Sequence, residues 1–350
     1  MMNNFKVLQV CLLLTVSLKI QAQDQQLSFS AYIDTYYGYD FSSPSANQRL
    51  YVTQYDRHNE FNINHAWVKA RYDQGKIRAE LALQLGTYPI NNYGAEPDPL
   101  YRLIHSAYVG YKLGENSWID VGVMGGHFGY ESALAIDREL LSPALATEYT
   151  PYYQTGVQYS WDISEATQFR AVVLNGWQNM AETNSHKSVG LALDHQLSEN
   201  FFVSYGNYYG NEKSGPGSNE MRFHNNLIAS YSASRFSLTG VVDFTRQDSV
   251  GTVRNVLFLT GIASLQLGEQ MLLAGRYEYV SDEGRILINS ISPSLDLHVV
   301  SLALEYRPEA NISFKLEPKL YNSTKDNFGR AGERVSNAIV LNAGLAIRLE

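Results

Sequence analysis

The chain has 350 residues, of which 45% are hydrophobic, 12% aromatic and only 18% charged, with a formal net charge of -8. The acidic balance argues against nucleic acid as a partner, because phosphate binding requires an excess of Lys and Arg. No stretch holds the roughly 18 uncharged apolar residues that a membrane-spanning helix needs. The abundance of aromatic side chains, including 25 Tyr, excludes a disordered chain. The class that these exclusions leave is a Tyr-rich β protein with few charged residues.

The first 22 residues have the pattern of a secretory signal peptide. A lysine precedes the apolar residues 7–18, and Ala22 is a small residue suited to cleavage. A buried helix is the alternative, but the segment has neither helix caps nor a 3.6-residue period. The one cysteine lies too early for a lipoprotein anchor. We therefore expect a cleaved signal at residues 1–22 and a single mature domain, residues 23–350, that contains no disulfide.

Alternation of apolar and polar residues predicts β-strands along the mature chain. Residues 27–41 alternate between an apolar set that includes Phe29 and Ile33 and a polar set that includes Ser30 and Asp34. A period of two residues marks a strand whose two faces meet different surroundings. The next two segments repeat this pattern about a short turn, with their charges confined to one face. Either a soluble sandwich or a membrane barrel would produce such alternation.

The lengths of the connections distinguish these two folds. Short turns are predicted at residues 73–75, 114–116, 163–165, 196–200, 233–235, 268–270 and 308–311. Long polar connections are predicted at residues 42–60, 87–103, 130–152, 176–186, 211–220, 247–254, 282–296 and 322–335. The two kinds alternate and place all long connections at one end, as in an outer-membrane barrel. We therefore predict an all-β fold: a transmembrane, antiparallel, up-and-down β-barrel of about 16 strands, with 14 to 18 compatible with the pattern.

The positions of the aromatic residues favour a barrel in outer-membrane lipid. Tyr37 and Tyr39 lie at the upper end of the first strand, whereas Trp161 and Tyr231 lie near short turns. Aromatic side chains at these two levels suit the two headgroup layers of a bilayer. Plain β-propensity explains the abundance of Tyr but not its concentration near strand ends.

Charged residues on the face opposite the apolar one are candidates to line the pore. They are Asp34, Lys69, Arg71, Lys76, Arg78, Glu80, Asp120, Arg170, Asp194, Arg276, Glu278, Lys315 and Glu317. A wall of mixed charge suits diffusion of small hydrophilic solutes with weak charge selection better than it suits a strong ion filter. Packing of these charges in pairs across strands is the alternative role.

The longest connection, residues 130–152, carries candidates for a constriction: Glu131, Asp137, Arg138 and Glu139. A barrel of 16 strands leaves an open channel unless something fills it. The loop could fold inward and narrow that channel, or it could stay on the extracellular surface. The sequence alone favours neither arrangement.

The chain contains no local motif for catalysis or metal binding. The nucleophile elbow, the phosphate-binding loop and the zinc motifs are all missing from the sequence. His58 with Glu60, and His127 with Glu131, are isolated pairs of a kind that is usually solvated in loops. We therefore expect no metal, no cofactor and no enzymatic activity. A barrel hydrolase with Ser, His and an acid on neighbouring strands would leave no local motif, and it is the enzyme alternative.

Five segments occur in a characteristic order: residues 31–37 (AYIDTYY), 57–62 (RHNEFN), 92–97 (NYGAEP), 149–157 (YTPYYQTGV) and 174–179 (LNGWQN). Together they resemble the OmpL-like putative β-barrel porin family of Gram-negative outer membranes. The resemblance covers nearly the whole mature chain and implies an outer-membrane porin, with no catalytic residues. We therefore expect passive diffusion of small hydrophilic solutes through a water-filled lumen.

The end of the chain bears on how such a barrel enters the membrane. Residues 339–349 alternate as a closing strand should, but the chain finishes on Leu349 and Glu350 rather than on an aromatic residue. We expect insertion by the barrel insertion machinery and leave assembly into a homo-oligomer open. A plugged barrel that acts as a structural or adhesive protein through its extracellular loops is a further alternative.

Overall fold

The computed structural model describes residues 26–44, 47–215, 219–249, 251–330 and 332–350. The signal peptide expected at residues 1–22 lies outside this described part of the chain. Within these ranges, no helix has both the length and the apolar character required to cross a bilayer.

Eighteen strands occur along the described chain, from Leu27 to Leu349. They are β1 (Leu27–Asp40), β2 (Glu60–Gln74), β3 (Ile77–Leu85), β4 (Ile104–Gly114), β5 (Ser117–Gly125), β6 (Tyr153–Ser164), β7 (Thr167–Leu174), β8 (Ser188–Ser198), β9 (Phe201–Asn211), β10 (Met221–Ser232), β11 (Phe236–Ser249), β12 (Thr252–Gln266), β13 (Met271–Glu283), β14 (Ser294–Glu309), β15 (Ile312–Ser323), β16 (Phe328–Arg330), β17 (Glu333–Val335) and β18 (Asn337–Leu349). All except β16 and β17 join into one closed antiparallel barrel of 16 strands, in which β1 pairs with β18. The predicted fold and strand number are confirmed.

The two faces of each strand meet different surroundings, as the alternation predicts. On β14, Val300, Leu302 and Leu304 point outward with 40–51% of their surface exposed. Between them, Ser301 and Ala303 point inward and are buried. A continuous apolar outer surface of this kind suits the hydrocarbon core of a bilayer.

The short turns mark the periplasmic end of the barrel. The connection between β2 and β3 consists of Gly75 and Lys76. Gly75 has a φ of 60°, a left-handed conformation that glycine adopts without the steric cost of a Cβ atom. Lys76, a predicted pore-lining residue, therefore lies in a turn at the rim rather than on a strand.

One predicted long connection is wrong. The polar residues 247–254 do not form a loop, because β11 continues to Ser249 and β12 begins at Thr252. Gln247 lies on the inward face and accepts a hydrogen bond from the Nε of Arg222 on β10, at 2.7 Å. Residues 252–255 are exposed on both faces of β12, and polar residues in such a place are compatible with a strand.

The long connections hold the few helical segments. Helix α1 (Thr87–Asn92) and a 3₁₀ turn (Pro99–Leu103) lie between β3 and β4. Helix α2 (Leu145–Tyr149) and a 3₁₀ turn (Ala135–Asp137) lie between β5 and β6. Two of these connections matter for function: the first loop (residues 41–59) and the inward loop (residues 126–152).

The outward face provides a test of the membrane placement. Leu227 lies on the outer surface in the middle of β10, and Leu197 lies on the same surface near the end of β8. We expect Leu227→Arg to lower the free energy of unfolding in lipid vesicles by about 2–4 kcal/mol, and Leu197→Arg by about 0–1 kcal/mol. Chemical denaturation measures both values. An equal loss of unfolding free energy in the two variants would contradict the placement of the barrel in the membrane.

Candidate functional site: the lumen and the inward loop

The inward loop lies inside the barrel, which resolves the question that the sequence left open. Leu140, Leu141 and Leu145 are each at most 1% exposed. Leu140 packs with Ile262 and with small alanines on β13 and β14. Polar loops normally run over the surface, so the apolar content of this loop explains why it folds into the lumen.

A glycine on the closing strand leaves space for the inward loop. A Cβ atom added at Gly344 on β18 would lie only 2.5 Å from Cδ1 of Leu141. Contacts shorter than about 3 Å do not occur between such carbon atoms without displacement. The missing side chain at Gly344 therefore allows Leu141 of the inward loop to pack directly against the backbone of β18.

A cluster of buried charges joins the inward loop to the wall. Arg276 on β13 lies 3.0 Å from Glu131 of the loop, 2.9 Å from Glu278 and 3.7 Å from Glu317. It also donates a hydrogen bond to the carbonyl of Ser142 at 2.9 Å. The four side chains are almost fully buried. Buried charges are tolerated only when they are paired and hydrogen-bonded, so this cluster ties the loop to one position.

The carboxylates of the wall also bind the backbone of the loop. Glu317 on β15 accepts hydrogen bonds from the amide of Ser142 at 2.6 Å and from its hydroxyl at 2.7 Å. Glu278 accepts a hydrogen bond from the amide of Leu145 at 2.5 Å. Lys319 lies 3.6 Å from Glu278 and adds a second positive charge. Charge-assisted bonds of this kind are roughly twice as strong as neutral ones.

A second set of contacts fixes the other end of the loop. The Nζ of Lys315 on β15 donates to the carbonyl of Ala135 at 2.7 Å and also to that of Arg138. The buried guanidinium of Arg138 donates to the carbonyl of Ser132 at 2.8 Å and to the hydroxyl of Tyr55 at 3.2 Å. The loop is therefore bound to the wall and to the first loop at once.

The first loop closes over the inward loop. Thr53 donates to the carboxylate of Glu148 through its amide at 2.9 Å and through its hydroxyl at 2.5 Å. Burial raises the pKa of Glu148 above its ordinary value, although these bonds oppose the shift. Tyr55 donates to Asp34 on β1 at 2.5 Å. Asp34, a predicted pore-lining residue, is thus buried beneath the first loop.

The four predicted constriction residues occupy different environments. Glu131 and Arg138 are buried in contacts with the wall and the first loop. Asp137 remains exposed and pairs with Arg348 on β18 at 2.7 Å. Glu139 accepts a hydrogen bond from the hydroxyl of Tyr130 at 2.6 Å and is partly exposed. Two of the four therefore anchor the loop, and two have access to the periplasmic part of the lumen.

The remaining candidates lie on the inward face of the opposite wall, where they form pairs. Lys69 lies 3.2 Å from Glu80, Arg71 lies 3.6 Å from Asp73, Arg78 forms a bidentate pair with Asp120, and Arg170 lies 2.5 Å from Asp194. The basic members of these pairs are partly exposed, unlike Arg276 and Lys315. This wall is therefore the charged surface that a solute in the periplasmic half would meet.

Aromatic rings accompany the basic residues of this wall. The guanidinium of Arg78 lies 4.3 Å from the ring centre of Trp118, and the ammonium of Lys69 lies 5.0 Å from that of Trp67. Each cation is attracted by the negative face of its ring. These contacts fix the long basic side chains against the wall.

The lumen narrows toward the extracellular side. Inward-facing residues such as Asp282, Leu297 and Tyr321 are buried near the extracellular end, whereas Arg170 and Asp194 are partly exposed near the periplasmic end. Between the inward loop and β10–β12 lies a gap of about 10 Å³, lined by residues that include Tyr130 and Asp243. That space holds about one water molecule.

Both histidines considered as metal ligands have other partners. The Nδ1 of His58 accepts a hydrogen bond from the amide of Asp40 at 3.0 Å. His127 lies 2.7 Å from Gln154 and 2.8 Å from the carbonyl of Asn207. Among the described residues, no three His, Cys, Asp or Glu side chains come together as metal ligands would.

Sequence reasoning missed several residues of this site. Ser142 binds the inward loop to the wall, and Tyr55 binds the first loop to the inward loop, but both lie in segments that pattern alone describes only as polar connections. One signal was present: Leu140-Leu141 and Leu145-Ala146 are apolar pairs within a loop. Such pairs are unusual on a surface and favour a buried segment.

The barrel is similar to outer-membrane proteins of known structure. An anion-selective porin from Comamonas acidovorans superposes with a TM-score of 0.62 at 11% identity, covering 92% of this chain and 99% of the porin. OmpF of Salmonella typhi in complex with daunomycin gives 0.61 at 13% identity, covering 92% and 97%. OmpT of Vibrio cholerae, in a trimer form, gives 0.57 at 12% identity, covering 92% and 98%. At these identities the similarity establishes the fold.

Sequence comparison identifies the family. No curated protein is similar enough to this chain to count as a relative. The profile of the family described as putative beta-barrel porin-2, OmpL-like, matches residues 26–349. This match spans the whole barrel and confirms the family expected from the five segments. The chain therefore belongs to the OmpL-like family of outer-membrane β-barrel porins.

Proposed function

We propose that the barrel is a narrow porin through which small hydrophilic solutes diffuse passively. The main support is that the inward loop fills only part of the lumen. The opposite wall stays partly exposed and carries paired charges. An unobstructed barrel of 16 strands would have an aqueous channel. The inward loop reduces this channel to a constriction that selects solutes by size. The function is transport and requires no catalytic step.

The wall that faces the inward loop supports a weak preference for anions. Four basic side chains, those of Lys69, Arg71, Arg78 and Arg170, are partly exposed there. Glu80 and Asp120 are less exposed than their partners Lys69 and Arg78, whereas Asp73 and Asp194 are as exposed as their partners Arg71 and Arg170. A passing solute therefore meets more positive than negative groups on this wall, although the nearby carboxylates screen them.

The proposal includes a location and partners. We infer that residues 1–22 direct export and are removed, and that the barrel insertion machinery places residues 23–350 among outer-membrane lipids. The Vibrio cholerae OmpT structure is a trimer form, which supports assembly of this chain into a homo-oligomer as well.

One observation favours a second candidate function. The first loop and the inward loop bury the inward face in the extracellular half of the lumen, as a plug would. A plugged barrel that acts through its extracellular loops would need this closure to be permanent. A measurement of ion conduction distinguishes the porin from the plugged barrel, because only the porin conducts.

Recordings from the purified, folded protein in planar bilayers test the proposed function. We expect stable ohmic steps, and in liposomes faster entry of glycerol than of a disaccharide, because the constriction admits only small solutes. Liposomes without protein are the control. Silence from protein whose β content is verified by circular dichroism would contradict the porin and favour the plugged barrel.

The charge of the open wall gives a second test. We expect Lys69→Glu combined with Arg71→Glu to shift the reversal potential in a salt gradient toward cation selectivity, because two exposed positive charges become negative. Lys187→Glu, in an exposed extracellular connection, is the matched control and should leave the potential nearly unchanged, since salt screens distant surface charges. If the double variant keeps the original potential, these residues do not line the path.

A further inference from the structure

A cavity of about 300 Å³ lies among the long connections, at the extracellular mouth of the barrel. The first loop, the hairpin β16–β17 and the upper ends of β15 and β18 form its walls. None of its lining residues belongs to the inward loop. The volume matches the lower end of the range for small-molecule sites.

Much of the lining is apolar. Phe328 of the hairpin, Leu50 of the first loop, and Ala338 and Val340 of β18 contribute to it. Phe328 packs against the ring of Tyr321, with ring centres 5.7 Å apart. A purely hydrophilic solute would gain little from such a surface, whereas an apolar group would be removed from water.

One buried arginine in the lining forms no ion pair with the residues that the structure describes. Arg49 is 4% exposed, and its Nη1 donates to Oδ1 of Asn342 at 2.7 Å. Its Nη2 has no hydrogen-bond partner in the part of the chain that the structure describes. No described carboxylate lies within 4.0 Å of it, although the buried carboxylate of Asp56 is near enough to interact with it electrostatically. A buried guanidinium without an ion pair lowers the stability of the fold unless an anion binds next to it.

Two further polar groups of the lining are also unused. The hydroxyls of Tyr321 and Ser42 are buried and have no hydrogen-bond partner among the described residues. The lining also includes two acidic residues. The carboxylate of Asp40 accepts a hydrogen bond from the amide of Ser42 at 2.8 Å, and Glu333 is exposed on the hairpin beside Arg334.

We propose that this cavity binds a small amphipathic carboxylate. The carboxylate pairs with the guanidinium of Arg49, whose planar shape suits it, and accepts a hydrogen bond from Tyr321. The apolar body of the ligand packs against Phe328 and Val340. This inference goes beyond passive diffusion, because binding at the mouth does not require an open lumen.

Titration of the full-length protein in lipid nanodiscs tests the proposal, with benzoate as the probe. We expect benzoate to bind, and benzamide and benzylamine, which have the same ring but no carboxylate, to bind far more weakly. Arg49→Gln should weaken benzoate binding roughly tenfold or more, since a charge-assisted bond is lost. Arg254→Gln, at the same end of the barrel but outside the cavity, is the control and should bind benzoate normally.

A second variant covers the case in which Arg49→Gln does not fold. Tyr321→Phe removes one hydroxyl from the lining and should weaken benzoate binding by about three- to tenfold. Equal binding of benzoate and benzamide would overturn the proposal. So would unchanged benzoate affinity in both variants, or no binding of millimolar benzoate by the folded wild-type protein. None of these results depends on whether the barrel conducts.

Discussion

Arg276 lies between carboxylates from two sources: Glu278 and Glu317 belong to the barrel wall, and Glu131 belongs to the inward loop. Removing these charges from water is unfavourable unless every member finds a partner. The pairing is complete only when the loop lies against β13 and β15, because the loop supplies both Glu131 and the backbone groups around Ser142. The position of the loop, and with it the cross-section of the lumen, depends on this cluster.

The cluster gives the two sides of the lumen different roles. Along β13–β15, the side chains that hold the inward loop are buried: Arg276, Glu278, Lys315 and Glu317. Along β2–β8, similar charges pair with each other and remain partly exposed. Residues of the same type therefore anchor the loop on one side and remain partly exposed in the lumen on the other. The first loop completes the closure above, where Thr53 and Glu148 join the two loops.

The barrel could be predicted from the sequence because its signals are local. Alternation within each strand and the alternation of turn lengths along the chain need no knowledge of distant contacts. The same local reasoning gave the inward face of Arg276 and Arg78 but not their partners. The inward loop was beyond such reasoning, because its position depends on contacts between residues 131–145 and residues 276–344. The error at 247–254 arose because polar residues at the exposed ends of β11 and β12 resemble those of a loop.

Shortening the inward loop tests most directly the claim that it is the constriction. Residues 132–147 are replaced by a short Gly-Ser linker, folding is verified by circular dichroism, and single-channel conductance is compared with that of the wild-type protein. The account predicts a conductance several times larger, with less discrimination between small and large solutes, because a barrel of 16 strands without this loop has a wide aqueous channel. An unchanged conductance would contradict the account and place the constriction elsewhere.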